Sequence, residues 1–450
     1  MNRLAVICCV GLTPDHLGTD TPNLTRLASA GFSAPMETAL PAVTTTAQTT
    51  MLTGVLPNGH GIVGNGWYMR ELGEVRFWNQ SERLVQAELP WQRQSGPRTL
   101  KHFWWYAMNS DVAATVTPRP VYHHDGRKSP DFYAHPYDLK DALRAKHGEF
   151  PLFNFWGPTA GIRSTRWIAE SFATALDSTQ PELALCYLPH LDYDLQRFGP
   201  VGPHLVKNLR ALDREAGKAI EHARAKGYEV LVVSEYGIEA VNQPVFPNRC
   251  LRENGLLSAV DNAAGELLDP GASRAFAVVD HQLAHVYCTD QAAIGRAAEL
   301  LARLTGVERV YAGTQRRELG LDHARSGELI VLAARGAWFA HDYWLDDARR
   351  PDFARCVEIH KKPGYDPREL FFDPAGGKRR AAWGLLRKTL GLRYLMDPVP
   401  LDAGLVRGSH GRKASSPGQG AVVIGSDKRW MRDNWHQTDV ASVIAAMTSR

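Results

Sequence analysis

Strand-like and helix-like patterns alternate through the first half of the chain. Apolar runs typical of strands buried on both faces lie at residues 3–10, 183–188 and 227–235. Apolar residues at helical spacing predict helices at residues 21–31, 162–178 and 203–225. This alternation predicts an α/β fold in which helices flank a central, mostly parallel sheet, with a functional site at the carboxyl edge of that sheet.

A different order of elements begins near residue 241. The predicted elements of this part are a single strand at 277–287, a helix at 291–304 and strands at 307–311 and 328–333. Their order indicates a small α+β cap inserted into the core. The predicted organisation is therefore a first core part at 1–240, a cap at 241–394 and a closing core part at 395–450, with a strand at 421–424 and a helix from Asp439.

A threonine-rich run separates the first strand and helix from a loop rich in glycine and proline. It extends from Leu40 to Gly54, and we expect a helix from about Ala47 to Gly54. Hydroxyls and free backbone N–H groups at such a junction suit a bound anion. Threonine hydroxyls also cap helices, and local chemistry alone favours that role.

Composition and charge narrow the classes of protein. The chain has 450 residues, 44% hydrophobic and 22% charged, with a net charge of +4 and no long basic block. We expect no nucleic-acid partner and a small anionic substrate. The six cysteines are scattered without a CxxC motif, and no apolar run is long enough to span a membrane. Cysteines in apolar, strand-like runs favour a reduced, cytoplasmic protein, and the short first apolar run resembles a strand rather than a signal peptide.

Polar residues follow several predicted strands. They are Thr44, Asp192 with Gln196, Glu235, and, in a later glycine-rich loop, His410. Each alone suits a helix cap or a buried loop histidine. Together at one sheet edge they suit a catalytic site. Residues 66–130 are rich in tryptophan, tyrosine and phenylalanine, which suits a pocket wall and a packed core equally well, and Arg119, Arg127 and Lys128 are nearby cations.

The order of these motifs resembles the alkaline phosphatase superfamily, in its type I phosphodiesterase/nucleotide pyrophosphatase branch, over nearly the full length. The matching residues are Thr21-Pro22-Asn23-Leu24, Thr44 ten residues before Gly54, Pro57-Asn58-Gly59-His60-Gly61-Ile62, Asp192 with Gly199-Pro200, Ser234-Glu235-Tyr236-Gly237 and His410-Gly411. The resemblance implies an alkaline-phosphatase-like fold and a two-zinc site at which Thr44 attacks phosphorus.

The chain departs from the family pattern at five positions. Val10 stands where the family has its first aspartate, Gln196 stands where it has a histidine, Glu235-Tyr236 stands where it has Asp-His, and Ala47 stands where an asparagine often follows the nucleophile. Carried over, the resemblance leaves Asp192, Gln196, Glu235 and His410 as metal ligands. We therefore expect weak binding, or a single divalent ion such as zinc, or none.

Three further residues are candidate replacement ligands. His281, in an Asp-His-x-x-x-His cluster with Asp280 and His285, would share a strand face with His285, and His360 and Asp366 flank a Pro-Gly turn. A buried or surface role in the cap is the simpler interpretation of each.

The preferred hypothesis is a hydrolase that acts on a phosphate ester or related anion, with Thr44 and Glu235 as the catalytic residues. The predicted substrate-binding residues are Thr45, Asn65, Trp67, Trp105 and Arg127. Two alternatives remain. One is a non-hydrolytic binding or accessory protein of a secondary-metabolite pathway, which would hold its ligand with Trp67, Trp104, Trp105, Trp156 and Trp344. The other is a non-phosphate reaction with acid–base catalysis by Glu235 and Tyr236.

Overall fold

A computed structural model describes residues 3–124 and 127–448 of the chain. Its strands are β1 (Leu4–Cys9), β2 (Phe32–Glu37), β3 (Gly66–Met69), β4 (Glu74–Phe77), β5 (Thr99–His102), β6 (Ala114–Pro118), β7 (Val121–Tyr122), β8 (Lys128–Ser129), β9 (Phe132–His135), β10 (Leu183–Leu188), β11 (Glu229–Val233), β12 (Glu239–Ala240), β13 (Gln243–Val245), β14 (Ala259–Asn262), β15 (Gly265–Leu268), β16 (Ala275–Asp280), β17 (Leu283–Cys288), β18 (Val307–Ala312), β19 (Leu329–Ala333), β20 (Ala337–Phe339), β21 (Gly408–Ser409), β22 (Ala421–Gly425) and β23 (Trp435–His436). Its α-helices are α1 (Pro22–Ala30), α2 (Thr44–Thr53), α3 (Pro57–His60), α4 (Tyr137–His147), α5 (Ile162–Thr179), α6 (His190–Phe198), α7 (Pro203–Ala225), α8 (Pro247–Glu253), α9 (Gln291–Ala302), α10 (Gln315–Glu318), α11 (Gly377–Thr389) and α12 (Asp439–Thr448).

A large central sheet forms the core, in the strand order β23-β2-β22-β11-β1-β10-β5-β6-β9. Strand β1 lies between β10 and β11 and pairs parallel with both, so that Cys8 is level with Tyr187 and Val233. Helices α5 and α7 pack against each other, and α12 packs on α2. The predicted α/β fold, with a mostly parallel sheet between helices, is confirmed. Parallel pairing also places the loops after β1, β10 and β11 at one edge of the sheet.

The first helix begins where the sequence predicts, but its capping group comes from elsewhere. Thr21 occupies the N-cap position without a capping hydrogen bond, and its hydroxyl donates to the His16 carbonyl at 2.8 Å. The Asp213 carboxylate of α7 instead accepts the backbone N–H groups of Asn23 and Leu24 at 3.1 and 2.9 Å. A carboxylate at the N-terminus of α1 accepts hydrogen bonds from backbone N–H groups that have no partner within the helix, and it interacts favourably with the positive end of the helix dipole. The Thr-Pro-Asn-Leu motif therefore joins α1 to α7.

Helix α2 begins at Thr44, three residues before the predicted start near Ala47. Threonine has only moderate helix propensity, so local sequence favours a shorter helix. The whole helix is buried, however, and the Thr49 and Thr53 hydroxyls donate to the carbonyls four residues earlier at 2.8 Å each. Tertiary burial thus extends the helix and places Thr44 in its first turn.

The predicted single strand at 277–287 is wrong. Strands β16 and β17 form an antiparallel hairpin there, and His281 and Gln282 make the two-residue turn between them. His281 has φ of 62°, in the left-handed region that tight hairpin turns require. His281 and His285 therefore do not share one strand face.

The hairpin belongs to a four-stranded sheet with order β16-β17-β19-β18, within the predicted cap region. Its apolar face and α9 form a hydrophobic cluster apart from the central core. In the part of the chain that the structure describes, no helix is long and apolar enough to cross a membrane. The cap boundaries at 241 and 394 stay a prediction.

Candidate active site

Four chain segments bring the predicted site residues together at the carboxyl edge of the central sheet. Thr44 opens α2, Asp192 lies in the first turn of α6 just after β10, and Glu235 and Tyr236 follow β11. His410 follows β21, which pairs with β12 beyond Tyr236. All five residues are buried.

A chain of hydroxyl groups joins Thr44 to Asp192. The Thr44 Oγ1 and Tyr236 hydroxyl oxygens are 3.2 Å apart, and the Tyr236 hydroxyl donates to Asp192 Oδ1 at 3.3 Å. Because Tyr236 has one proton and gives it to the carboxylate, Thr44 is the donor in the first contact. Thr44 thus has a proton path to a carboxylate.

The second oxygen of the Asp192 carboxylate is held within the same helix and by the cap. Gln196 Nε2 donates to Asp192 Oδ2 at 2.8 Å, and the Tyr365 hydroxyl donates to Gln196 Oε1 at 3.0 Å. This contact fixes the orientation of the Gln196 amide, with its nitrogen toward Asp192. The amide serves here as a hydrogen-bond donor to the carboxylate.

Four rings form a continuous stack across the site. Tyr236 lies against His410 with ring centroids 3.6 Å apart and planes at 8°, and His410 contacts His281 at 3.5 Å. His281 in turn stacks on Tyr365 at 3.7 Å. The hairpin turn of the predicted cap therefore supplies one ring of this wall.

The His410 ring is held by the loop before α2. Its Nδ1 donates to the Ala42 carbonyl at 2.7 Å, which leaves Nε2 as an acceptor, 3.8 Å from Asp192 Oδ1. That Nε2 atom has no hydrogen-bond partner among the described residues. Burial lowers the His410 pKa to about 3, against a smaller opposing effect of the Ala42 carbonyl, so the ring is neutral at pH 7.

Glu235 lies fully buried behind Thr44. The Gln48 amide of α2 donates to Glu235 Oε1 at 2.7 Å and accepts a hydrogen bond from the backbone N–H of Trp105 at 2.8 Å. Glu235 Oε2 has no hydrogen-bond partner in the described part of the chain. Burial raises the Glu235 pKa to about 8, and the hydrogen bond from Gln48 opposes that rise. Glu235 is therefore mostly protonated at neutral pH.

Burial also raises the pKa values of two other acidic groups of the site, Asp192 and Asp280. It raises the pKa of Asp192 to about 7, with hydrogen bonds from Gln196 and Tyr236 acting in the opposite direction. It raises the pKa of Asp280 to about 7 as well, against the hydrogen bonds from Asn65. Such values near neutrality are typical of groups that exchange protons during catalysis.

Asn65 and Thr45 make internal contacts that position α2. Asn65 Oδ1 accepts the Thr45 N–H at 3.1 Å, and its Nδ2 and backbone N donate to the Asp280 carboxylate at 3.1 and 2.8 Å. The Thr45 hydroxyl donates to the Gly64 carbonyl at 2.8 Å. These bonds tie the start of α2 to the hairpin of the second sheet. The predicted substrate contacts of both residues stay a prediction.

A cavity of about 2380 Å³ opens onto the site. Its base includes Thr44, Asp192, Tyr236, His281, Tyr365 and His410. Its walls carry the aromatic residues Trp78, Trp105, Tyr122, Trp156 and Trp383, and the cations Arg119, Arg127, Lys128, Lys361, Arg380, Arg387, Lys388 and Arg393. Such a lining suits a ligand with both anionic and apolar parts.

The predicted aromatic residues divide between cavity and core. Trp105 and Trp156 line the cavity, as does the predicted cation Arg127. Trp67 is buried in a small apolar cluster beneath Arg325, whose guanidinium carbon lies 5.2 Å from the ring centroid. Trp104 and Trp344 belong to the two larger hydrophobic cores.

The candidate replacement ligands do not converge. Among them, His281 alone lies in the ring stack, whereas His285 bonds the Val63 carbonyl at 2.9 Å. His360 is exposed and contacts Tyr122, 6.2 Å between centroids, on the cavity wall. Asp366 binds Lys362 at 2.8 Å in a separate ion network.

The donor atoms present do not fit the two-zinc site that the resemblance implies. Val10 is an apolar residue of the core, and the Tyr236 phenol is stacked on His410 and bonded to Asp192. The Gln196 amide presents its nitrogen, which is not a ligand atom, toward Asp192. Throughout residues 3–124 and 127–448, no group of three or more His, Cys, Asp or Glu side chains is arranged to hold a metal ion.

Two residues of the site were not singled out in the sequence. Gln48 connects Glu235 to the Trp105 backbone, and Tyr365 connects Gln196 to the ring stack. Gln48 lies one helical turn after Thr44, so the helix start at Thr44 would have indicated it. Tyr365 lies 169 residues from its partner, and no local pattern marks it.

Comparisons with known proteins give one consistent family. The chain matches the family described as type I phosphodiesterase / nucleotide pyrophosphatase over residues 4–366. It is 24% identical, over 259 residues, to an uncharacterised pyrophosphatase/phosphodiesterase of Schizosaccharomyces pombe, covering 56% of this chain and 47% of that protein. It is 21% identical, over 244 residues, to a venom phosphodiesterase of Naja atra, covering 52% of this chain and 26% of that protein. The chain thus spans about half or less of the length of these relatives.

Two solved structures share the fold along the whole chain. Phosphonoacetate hydrolase from Sinorhizobium meliloti 1021, in complex with phosphonoformate, superposes with a TM-score of 0.63 at 13% identity, covering 100% of this chain and 96% of that one. Murine ectonucleotide pyrophosphatase / phosphodiesterase 5, an inactive form in complex with AMP, gives a TM-score of 0.59 at 14% identity, covering 100% and 95%. With the family match over most of the chain, these findings lead to one conclusion: the chain belongs to the type I phosphodiesterase/nucleotide pyrophosphatase family.

Proposed function

We propose that the chain hydrolyses a phosphate ester or a related small anionic ester, with Thr44 as the nucleophile and with a proton path in place of the family's two metal ions. The observation that carries the proposal is the hydrogen-bonded chain from Thr44 through Tyr236 to Asp192 at the base of a large cavity. A hydroxyl nucleophile needs a group that accepts its proton. This chain of contacts provides one.

The first chemical step follows from these contacts. The Thr44 oxygen forms a bond to phosphorus as the ester oxygen leaves, and the hydroxyl proton passes to the Tyr236 oxygen while the Tyr236 proton passes to Asp192. With its pKa near 7, Asp192 is about half ionised at neutral pH and can accept that proton. Water then attacks phosphorus and the bond from phosphorus to Thr44 breaks. Thr44 takes back its proton from Asp192 through Tyr236, and the proton that the attacking water loses passes through solvent to the ester oxygen that left. The net reaction consumes one water for each ester cleaved.

The charges around Thr44 suit an anionic substrate. Glu235 beside Thr44 is mostly protonated at pH 7, so it does not repel an anion. Thr44 is the first residue of a ten-residue helix whose N-cap residue, Val43, makes no side-chain capping bond, so the helix N-terminus favours negative charge. Arg127 and other cations on the cavity wall add to this preference. The superposed structures hold phosphonoformate and AMP, which are both small anions.

Hydrolysis of p-nitrophenyl phosphodiesters and phosphomonoesters, with and without EDTA, tests the proposal. We expect Thr44→Ala to lower kcat/KM at least 1000-fold, Thr44→Ser to retain measurable activity, and the wild type to keep its activity in EDTA. Equal rates for the wild type and Thr44→Ala would contradict the nucleophile. Loss of activity in EDTA, restored by zinc, would contradict the metal-independent proton path.

A non-hydrolytic binding protein is the second candidate function. The ring stack of Tyr236, His410, His281 and Tyr365 favours it, because it fills with aromatic surface the side of the site where the family has metal ligands. Calorimetric titration with AMP and phosphonoacetate distinguishes the two functions. Micromolar binding that Thr44→Ala leaves unchanged, without turnover of any ester, would favour the binding protein.

A further inference from the structure

A basic and apolar segment lies between two aspartates late in the chain. Residues 376–396 contain six lysines and arginines, and no acidic residue occurs between Asp373 and Asp397. The segment forms α11 and the irregular stretch that follows it. We call it the basic apolar segment. The family resemblance does not use it, and the proposed hydrolysis uses only the positive charge that it adds to the cavity wall.

The basic apolar segment exposes an unusual amount of apolar surface. Of the nineteen exposed large hydrophobic side chains in the part of the chain that the structure describes, six lie between residues 383 and 395. They are Trp383 at 59%, Leu385 at 53%, Leu386 at 48%, Leu390 at 64%, Leu392 at 53% and Leu395 at 57% exposure. Single exposed leucines need no explanation, but a concentration of this kind marks an interaction surface.

Most of the positive charge of the segment is not neutralised within the protein. Arg380 binds the Asp373 carboxylate at 2.6 Å and that of Asp397 at 3.3 Å, so it anchors the helix. The other five basic residues form no ion pair with any described residue: Lys378, Arg379, Arg387, Lys388 and Arg393. Their charge is therefore available to an anionic partner.

The basic apolar segment packs on the rest of the protein through its glycines, so its large apolar side chains stay exposed. Gly384 packs against the stretch that follows the helix, and a Cβ atom at this position would lie 3.3 Å from the Leu395 carbonyl oxygen. The buried face of α11 is thus small, limited to Gly377 and Gly384. Trp383 and Leu386, three residues apart, lie on the same exposed side.

We propose that the basic apolar segment docks on the surface of an anionic lipid bilayer. Tryptophan and leucine side chains insert at the boundary between head groups and acyl chains, while lysine and arginine bind the anionic head groups. A second copy of the chain would place five uncompensated cations against five others, which disfavours a self-association surface. An acidic protein partner would pair the cations but would not require six exposed apolar side chains.

Docking would also orient the active-site cavity. Trp383, Leu385 and Leu392 lie along the wall of the same cavity whose base holds Thr44. A bilayer against the segment would therefore face the cavity mouth. The docking itself does not depend on the chemistry of Thr44, so the two proposals are tested separately.

Co-sedimentation of the full chain with lipid vesicles tests the docking. We expect the wild type and Thr44→Ala to bind vesicles of 70% phosphatidylcholine and 30% phosphatidylserine at least tenfold more tightly than vesicles of phosphatidylcholine alone, and 0.5 M NaCl to weaken that binding strongly. The double variant Arg387→Glu/Lys388→Glu and the triple variant Trp383→Ala/Leu386→Ala/Leu390→Ala should each bind at least tenfold more weakly. Tyr137→Ala, at an aromatic residue that is 72% exposed on α4, is the matched control and should bind like the wild type.

Three results of the vesicle assay would overturn the proposal. They are no binding of the wild type to either vesicle, equal binding to both vesicles, and unchanged binding by variants whose circular dichroism shows a native fold. A wild-type dimer that the triple variant dissociates, without any vesicle binding, would likewise overturn it in favour of self-association.

Discussion

Two buried polar clusters of the protein differ in how their charges are balanced, and only the second of them lines the base of the cavity. The first, the ion network, comprises His341, Asp342, Lys362, Asp366, Arg368 and Glu369. Arg368 binds Asp342 at 2.8 Å and Asp366 at 2.7 Å, and Lys362 binds Asp366 and Glu369 at 2.8 and 2.7 Å. Although burial alone would raise it, these cations hold the pKa of Asp366 well below its usual range.

The second cluster, the strand-end site, comprises Thr44, Asp192, Glu235, Tyr236, His281 and His410. Its two carboxyl groups are equally buried, but they contact hydroxyls, amides and neutral rings rather than lysine or arginine. Their pKa values are therefore raised, to about 7 for Asp192 and about 8 for Glu235. One cluster stabilises fixed charges, and the other keeps protons that can move at neutral pH.

The contrast separates a structural from a functional role for acidic residues of equal burial. Asp366 and Asp192 were both candidate metal ligands in the sequence. The partners of Asp366 satisfy it completely, while Asp192 connects to a hydroxyl at the base of a cavity. Three substitutions test whether this difference in charge balance has the expected consequences.

The largest effect is expected from Arg368→Met in the ion network. The substitution leaves Asp342 and Asp366 buried without their main cation, which costs about 3 to 5 kcal/mol of unfolding free energy. Urea unfolding measures the loss. Arg303→Met, at a side chain that is 77% exposed, is the control and should change the free energy by less than about 1 kcal/mol. Equal stability of Arg368→Met and the wild type would show that the fixed charges of the ion network contribute little to the free energy of unfolding.

Glu235→Gln should remove a pH dependence of stability whose sign is opposite to that of Asp366. The lowered pKa of Asp366 makes stability fall as the pH falls, whereas the raised pKa of Glu235 makes stability fall as the pH rises. Since the folded pKa of Glu235, about 8, lies above its ordinary value of 4.5, the folded state keeps a proton that the unfolded state releases. That contribution is complete below pH 4.5 and is lost as the pH rises through 8. Relative to Glu235→Gln, the wild type should therefore lose about 2 to 4 kcal/mol between pH 5 and pH 9.

Urea unfolding of both proteins at pH 5, 7 and 9 measures this difference. Other titrating groups are common to the two proteins and largely cancel. Parallel pH profiles would mean that Glu235 is ionised in the folded state at neutral pH, and the contrast between the two clusters would fail.

Local patterns were sufficient where one segment determines its own structure. The apolar run at 183–188 coincides with β10, and the amphipathic pattern at 203–225 coincides with α7. Burial of an apolar face at a fixed period selects these elements almost independently of the rest of the chain. The strand-end position of Thr44, Asp192 and Glu235 followed from the same logic, because parallel strands share a carboxyl edge.

The sequence could not predict features that depend on distant partners. The start of α2 at Thr44 depends on its burial, and the hairpin at His281 depends on pairing of β17 with β19 as well as with β16. The difference between Asp366 and Asp192 depends on which cations fold next to them. Such contacts join residues that are far apart along the chain, so a local pattern carries no signal for them.

The smallest of the three effects concerns the proton path itself. Asp192→Asn removes the group that accepts the Thr44 proton but keeps an oxygen for the Tyr236 hydroxyl, so kcat should fall about 100-fold, equivalent to about 2.7 kcal/mol. No cation loses its partner, but the new amide nitrogen cannot accept the hydrogen bond from Gln196, so the unfolding free energy should fall by only about 1 to 3 kcal/mol. Asp194→Asn, two residues along α6, is the matched control, since Asp194 binds Arg197 at 2.7 Å. It should leave kcat unchanged. A loss of stability in Asp192→Asn as large as in Arg368→Met would place Asp192 with the structural carboxylates. A loss of kcat with a clearly smaller loss of stability would make charge balance a criterion for distinguishing the two roles in this fold.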